Sequence, residues 1–295
     1  MKYELFFGDY LDAVNRTLEQ ILPAARQHPL MIHEAMRYGV FPGGKRFRAV
    51  LALVSCEASG GRLEEALIPA ASIELIHSYS LVHDDLPALD NDDLRRGKPS
   101  CHKRFGEAIA ILAGDALLTL AFRLLADSAP VRADAHRLRE VFVEVADAAG
   151  SAGMVGGQVA DIECEGKPAD AAVVDYIHTH KTAALIRASI RSGAILAGAT
   201  PHELAALGVA GDNLGLAFQI MDDILDITAT SEELGKTAGK DQAQQKATYP
   251  AVHGIEASRR RAQALVTDAH AALEPFGPRA VPLRALGTFI IERKA

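Results

Sequence analysis

Apolar residues recur along almost the whole chain at three- and four-residue spacing, and no stretch shows the sustained alternation of a half-buried strand. In 3–22 the positions Leu5, Phe6, Tyr10, Val14, Leu18, Ile21 and Leu22 form one stripe, and GVFPGG at 39–44 then breaks the chain before a helix predicted over 45–58. Further helices are predicted over 64–85, 105–126, 135–164, 171–198, 201–228, 255–274 and 281–292. The first of these reads as mostly buried. The second is apolar nearly all round, which suits a helix inside a large bundle, with Asp115 hydrogen-bonded in the core. Thr200, Pro201 and Glu203 supply an N-cap, an N1 proline and a capping-box glutamate for the helix that follows. The polar stretch 235–250 reads as a loop, and no repeat or long linker divides the chain, so the expectation is one all-α domain over 1–295.

Two acidic clusters interrupt this pattern. LVHDDLPALDNDDLRRG (81–97) places five aspartates within ten positions, followed at once by Arg95 and Arg96. Two carboxylates about 4 Å apart repel by ~4 kcal/mol at an effective dielectric near 20, so Asp84 and Asp85 need compensation. Water, the two arginines or a hard divalent cation could each supply it. In LAFQIMDDILDIT, Asp222 and Asp226 share a helical face one turn apart, with Asp223 beside them, among Phe218, Ile220, Met221, Ile224, Leu225 and Ile227. Carboxylates set among apolar neighbours are rarely buried unpaired. Both clusters hold aspartate without histidine or cysteine inside the motif, a donor set that matches Mg²⁺ bridging carboxylates to phosphates. Basic residues fall at GGKRFR, at Arg95 and Arg96, and at HKTAALIR; GGK is not the GxxxxGK[ST] loop of nucleotide binding.

Composition narrows the classes. With 49% hydrophobic residues over 295 positions the chain can bury a large aliphatic core, and a net charge of −7 without a basic run argues against nucleic-acid binding. Cys56, Cys101 and Cys164 are widely spaced and form no CxxC pair, which points to neither a disulfide framework nor a zinc site. The N-terminal stretch is not patterned as a signal peptide and no transmembrane segment is expected, so cytoplasmic location is the default.

In order, GGKRFR (43–48), HSYSLVHDDLPALDNDDLRRG (77–97), GGQVADIE (156–163), HKTAALIR (180–187) and FQIMDDILD (218–226) resemble the trans-prenyltransferases that make short isoprenoid diphosphates, in particular bacterial-type farnesyl diphosphate synthases. The resemblance implies an all-α isoprenoid synthase bundle with a central cavity and the two aspartate motifs on facing helices, holding three Mg²⁺, for which Mn²⁺ can substitute. Asp84 and Asp90, with Asp85 beside them, and Asp222 and Asp226, with Asp223, would form the metal set. Arg95, Lys181 and Lys236 would meet the allylic diphosphate, and Lys45, Arg48, His77 and Arg96 isopentenyl diphosphate. Gln219, Asp161 and Gln158 would support the substrates, and Thr182 would polarise the reacting carbon; Lys181, Thr182, Asp84 and Asp222 form the implied catalytic set. Tyr79, near Ser80, would floor the pocket and stop the product at farnesyl, although an ideal wheel turns Tyr79 away from the Asp84 face. Ala49 stands where the family often has proline, and Met221 where glutamine is common.

The implied chemistry is ionisation of the allylic diphosphate, attack on the cation by the isopentenyl double bond, and loss of a proton to the released diphosphate. The 235–250 loop and the C-terminal IERKA would close a dry aliphatic pocket. A homodimer is also implied. DDILD contradicts a terpene cyclase, a di-iron bundle would need Glu and ExxH pairs, and a silent partner subunit would show losses in its motifs. A geranylgeranyl or geranyl diphosphate synthase remains the alternative. Turnover should require Mg²⁺ or Mn²⁺: excess EDTA should abolish it and added Mg²⁺ restore it, whereas full turnover in EDTA would end the metal expectation.

Overall fold

The computed structural model describes residues 3–127, 134–167, 170–230 and 246–293. In chain order the helices are α1 (Tyr3–Ile21), α2 (Leu30–Val40), α3 (Phe47–Ala58), α4 (Leu63–Asp84), α5 (Cys101–Phe105), α6 (Glu107–Asp127), α7 (Ala135–Ala149), α8 (Met154–Cys164) and α9 (Ala171–Ile177). A π-helical segment, His178–Ala183, carries α9 directly into α10 (Ala184–Ala197). Then come α11 (Pro201–Thr228), α12 (Tyr249–His253), α13 (Ile255–Ala272), a 3-10 stretch (Glu274–Ala280) and α14 (Val281–Glu292). The fold is all-α. Among the described residues the β structure is a pair of two-residue strands, β1 (Leu94–Arg95) and β2 (Lys98–Pro99), antiparallel with Arg95 opposite Lys98.

α3 and α10 pack together at the centre, α4 lies between α3 and α6, and α11 lies between α10 and α13. Two aliphatic clusters result. One joins Leu53, Ile73, Ile76, Leu117 and Leu185; the other joins Leu51, Ile186, Ile190, Leu207, Ile224 and Leu286. α4 buries residues on every side, including Ile73, Leu75, Ile76, Tyr79 and Val82, and this helix carries the first aspartates at its C-terminal end. Buried Glu74 lies 3.4 Å from the equally buried Arg46 of the α1–α3 region, so the one acid in the middle of α4 is paired.

Several expectations are corrected. α2 is a helix that the pattern did not single out, and Gly150 to Gly153 divides the predicted 135–164 into α7 and α8. α3 begins at Phe47, not 45, because Gly43, Gly44 and Arg46 all adopt positive φ; Lys45 therefore projects from the turn before the helix. In α1 the inward residues include Tyr3, Phe7, Val14 and Leu18, while Leu5 and Phe6 are exposed. α6 is not an interior helix. It buries Ala110, Ala113, Gly114, Leu117 and Ala121 but exposes Ile111 and Leu112, and Asp115 is out in solvent with its side chain 59% exposed. Apolar composition on all sides of a helix does not say which neighbour covers it. α6 and α11 are each long and apolar enough to cross a membrane by length and composition; α6 packs one face against α4 and α2, and α11 packs between α10 and α13.

Thr200 caps α11 as the pattern requires: its hydroxyl accepts from the Glu203 amide at 3.3 Å, and Glu203 Oε2 accepts from the Thr200 amide at 2.8 Å. This fixed start runs α11 across the molecule, so that its C-terminal turns bring the second aspartate cluster opposite the end of α4.

Candidate active site

The ends of α4, α8, the π segment and α11 enclose a cavity of about 660 Å³. Asp84 and Asp90 line it from the α4 side, and Asp222, Asp223 and Asp226 from α11. Asp92 lines it as well. Asp85 does not: it is buried behind this wall, where Arg95 Nε donates to both its oxygens at 3.0 and 3.3 Å. Burial pushes the Asp85 carboxyl up even against Arg95, and Arg95, which also reaches Asp92 at 3.4 Å, is held above its usual range by the two acids despite its own burial.

Three of the cavity acids have a cation of the chain beside them. Lys246 Nζ donates to Asp90 Oδ1 at 2.7 Å, Lys181 Nζ to Asp161 Oδ2 at 2.7 Å, and Arg293 Nη2 to Asp222 Oδ1 at 2.5 Å. Burial raises the Asp84 pKa to about 6, opposed by Lys181 and reinforced by Asp90. Burial works against the Lys181 ammonium too, but Asp84 and Asp161 outweigh it and hold its pKa above the ordinary value. Among the described residues no three His, Cys, Asp or Glu side chains converge as a ready metal cluster. What the cavity holds instead is an all-oxygen donor set, Asp84 and Asp90 facing Asp222 and Asp226, interleaved with positive charge. That donor chemistry fits a hard divalent cation carrying phosphate oxygens.

A second region of the same wall is predominantly positive, with Glu74 and Asp222 acting on it only from a distance. Lys45, Arg48 and Arg96 line it, and none has a carboxylate partner among the described residues. Burial lowers the pKa of all three; in Lys45 the nearby Arg293 adds to the effect. Arg48 Nη1 lies 3.4 Å from His77 Nε2, and burial, helped by Arg48 and Arg96, drives the His77 pKa well down, so its imidazole is neutral. Arg96 donates to the Gly43 carbonyl, and a Cβ on Gly44 would come within 2.6 Å of its guanidinium. Unpaired, partly desolvated cations crowded together form a site for an anion.

Lys181 and Thr182 reach the cavity from the π segment. Its backbone is gripped from both sides: a Cβ on Gly157 of α8 would lie 2.2 Å from the Lys181 amide nitrogen, and one on Gly215 of α11 would lie 2.5 Å from Ala183 Cα. Thr182 Oγ1 donates to Gln219 Oε1 at 2.7 Å, and Gln219 Nε2 donates to Asp223 Oδ1 at 2.8 Å. Asp223 Oδ2 accepts from the Tyr249 amide at 2.8 Å and lies 3.1 Å from His178 Nε2. Both oxygens of Asp223 are thus engaged by the chain, and its side chain also lines the cavity. Tyr79 and Ser80 both line the cavity, as do Gln158 and Asp161. Lys236 lies outside the described residues. Lys246, Arg293 and His178 also line the site but carried no role in the sequence. The only hint was the position of Lys246 and Arg293 in segments expected to close the pocket.

A family model described as polyprenyl synthetase matches residues 29–274, which include all the cavity helices. The chain belongs to that family. It is 49% identical over 289 residues to a dimethylallyltranstransferase of Fischerella ambigua, covering 97% of this chain and 83% of that protein. It is 45% identical to a geranylgeranyl diphosphate synthase of Cyanophora paradoxa, covering 96% and 93%. The structure matches an FPP/GFPP synthase from Zymomonas mobilis with TM-score 0.87 at 36% identity, covering 98% of each chain. It also matches a geranyltransferase from Helicobacter pylori solved with magnesium and isoprenyl diphosphate, with TM-score 0.82 at 33% identity, covering 97% and 96%. This member of the polyprenyl synthetase family is a prenyltransferase, a trans-prenyl diphosphate synthase.

Asp84→Ala and Asp222→Ala should each lower kcat/KM by roughly 10³-fold, since several kcal/mol of charge stabilisation is lost. Asp93→Ala should stay within a few-fold, because Asp93 is 72% exposed and its ion pair with Lys103 is at the surface. Steady-state kinetics of the three purified variants check the ordering, and equal rates would remove it.

Proposed function

We propose that this synthase stops at fifteen carbons: it condenses dimethylallyl and then geranyl diphosphate with isopentenyl diphosphate to give farnesyl diphosphate. Tyr79 is the observation that carries the assignment. It is 7% exposed, lines the cavity below Asp84, and its ring stands edge-on to His83 at 5.7 Å. His83 Nε2 lies in turn 2.9 Å from the Ile111 carbonyl, so the aromatic floor is braced from α6. An ideal wheel turns Tyr79 away from the Asp84 face, but the cavity reaches more than one face of α4 and Tyr79 lines it, which supports this reading. Relatives named geranylgeranyl diphosphate synthases support a twenty-carbon product as the second reading.

The two charged regions support a division of the substrates. The set Lys45, Arg48 and Arg96, without an ion-pair partner among the described residues, takes with neutral His77 the diphosphate of isopentenyl diphosphate. The allylic diphosphate lies across the cavity beside Lys181 and Lys246, with Arg95 behind. Asp84, Asp90, Asp222 and Asp226 would hold Mg²⁺, three ions by the resemblance and replaceable by Mn²⁺, which when bound neutralises the diphosphate and stabilises it as a leaving group. Lys181 and Lys246 add fixed positive charge where the leaving group gains negative charge. Thr182, held by Gln219, directs its oxygen at the reacting carbon. Phe218, Leu81, Val159 and Leu225 give the cavity apolar walls that keep water from the cation. The departing proton goes to the released diphosphate, because Asp161, the cavity acid outside the two motifs, is committed to Lys181.

The exposed apolar residues Ile111 and Leu112 of α6 and Phe142 and Val143 of α7 support a homodimer formed through these helices. Three free cysteines support a reducing, cytoplasmic setting.

Tyr79→Ala should lengthen the product to C20 or beyond while largely keeping the C10 to C15 step, read by chromatography of products from dimethylallyl and isopentenyl diphosphates. C15 alone at wild-type rate in the variant would show that Tyr79 is not the floor, and C20 from the wild type would select the second reading. Light scattering at micromolar concentration should give twice the 31.4 kDa chain mass, and a monomer mass would refute the dimer.

A further inference from the structure

We infer that His178 and Asp223 are positioning residues, a buried bracket that fixes Thr182 and the chain leading to Lys246 relative to each other. The two side chains are each 3% exposed and 45 positions apart in sequence, yet His178 Nε2 and Asp223 Oδ2 lie 3.1 Å apart. His178 opens the π segment and Thr182 belongs to the same segment. Asp223 lies one turn beyond Gln219 on α11, and Gln219 accepts the Thr182 hydrogen bond. The second oxygen of Asp223 accepts from the amide of Tyr249, the first residue of α12. One carboxylate therefore ties three pieces of backbone: the segment carrying Thr182, the helix carrying Asp222 and Asp226, and the start of α12, three residues after Lys246. The Tyr249 ring lies over the His178 ring, centroids 6.1 Å apart, and closes the bracket from outside.

The physical reason is register. Asp223 accepts from the chain at both oxygens, so its carboxylate is fixed in place, and with it the turn of α11 that carries Asp222 and Asp226, one residue before and three after, along the cavity wall. Neutral donors at Gln219 and Tyr249, with His178 as a third partner, satisfy the buried carboxylate as a capping group would, from a neighbouring helix. Loss of His178 leaves that carboxylate short of a partner and lets the π segment shift. A displacement of less than an ångström at Thr182 is enough to cost rate without altering the anion site at Lys45, Arg48 and Arg96.

The inference rests on the placing of the allylic substrate at Thr182, so the test separates the two. Variants His178→Leu, His178→Gln, Thr182→Val and the Leu/Val double variant are compared for folding by circular dichroism, for kcat and both KM values, and for Mn²⁺ binding with inorganic diphosphate by electron paramagnetic resonance, with Asp222→Asn as reference. Expected are a loss in kcat of about 10- to 100-fold in H178L, with KM for isopentenyl diphosphate within about twofold and Mn²⁺ binding kept. H178Q, whose amide nitrogen can stand where Nε2 stands, should recover most of the rate. The double variant should be no slower than T182V alone. Losses that multiply in the double variant while T182V is itself slow would overturn the bracket, as would a loss of Mn²⁺ matching Asp222→Asn. A wild-type rate in T182V would overturn the substrate placement and the bracket together. If H178L fails to fold, His178→Asn, polar but too short to reach Asp223, takes its place in the same cycle.

Discussion

Crowding of charge in a partly buried cavity is the constraint on which the rest of this molecule depends. Two aspartate-bearing helix ends must face each other, and carboxylates at that distance repel unless positive charge lies between them. The chain supplies part of it through Lys181, Lys246, Arg293 and Arg95, each set against a named acid. Such pairs lose energy when one partner drifts in a desolvated site. The frame therefore has to be stiff, and α3 and α10, packed into both aliphatic clusters, make it so. The same wall has a part whose cations are ion-paired with acids and a part whose cations are not, and on the proposed placement two substrates that both carry diphosphate are told apart by what surrounds the phosphate rather than by its own chemistry.

Most of the helical fold was legible because its cores are aliphatic and periodic. α11 was the clearest case, where the Thr200 cap, Pro201 and Glu203 marked a boundary that the structure keeps. The aspartates at 222–226 were legible for the opposite reason: acids that break an apolar face stand out. α2 was missed because it is short, opens on exposed Leu30 and Met31, and follows Pro29, so its periodicity is brief. α6 misled because covering partners are not written in a helix's own composition.

The site was less legible where function comes from distant pairing. Lys246 and Asp90 are 156 residues apart, and Arg293 and Asp222 are 71 apart; nothing local marks either lysine or arginine as more than a surface charge. Asp223 shows the limit from the other side. Its neighbours in sequence line the cavity as members of the acidic group, and only the structure shows both its oxygens turned to Gln219, Tyr249 and His178. The π segment was invisible because 171–198 keeps an unbroken helical pattern through it.

That segment carries one residue more than an α-helix would use over the same rise. α10 cannot rotate to absorb a change, because Gly193 already lies so close to α3 that a Cβ would come within 2.0 Å of the Ala52 carbonyl oxygen. Removing a single residue between His178 and Ala183 would therefore turn α9 by about 100° against everything else, taking Val174 and Ile177 out of the small cluster they share with Ala247. His178, Lys181 and Thr182 keep their places only while that spacing is preserved. Length, as well as the identity of those three side chains, is what descent must hold constant in this stretch.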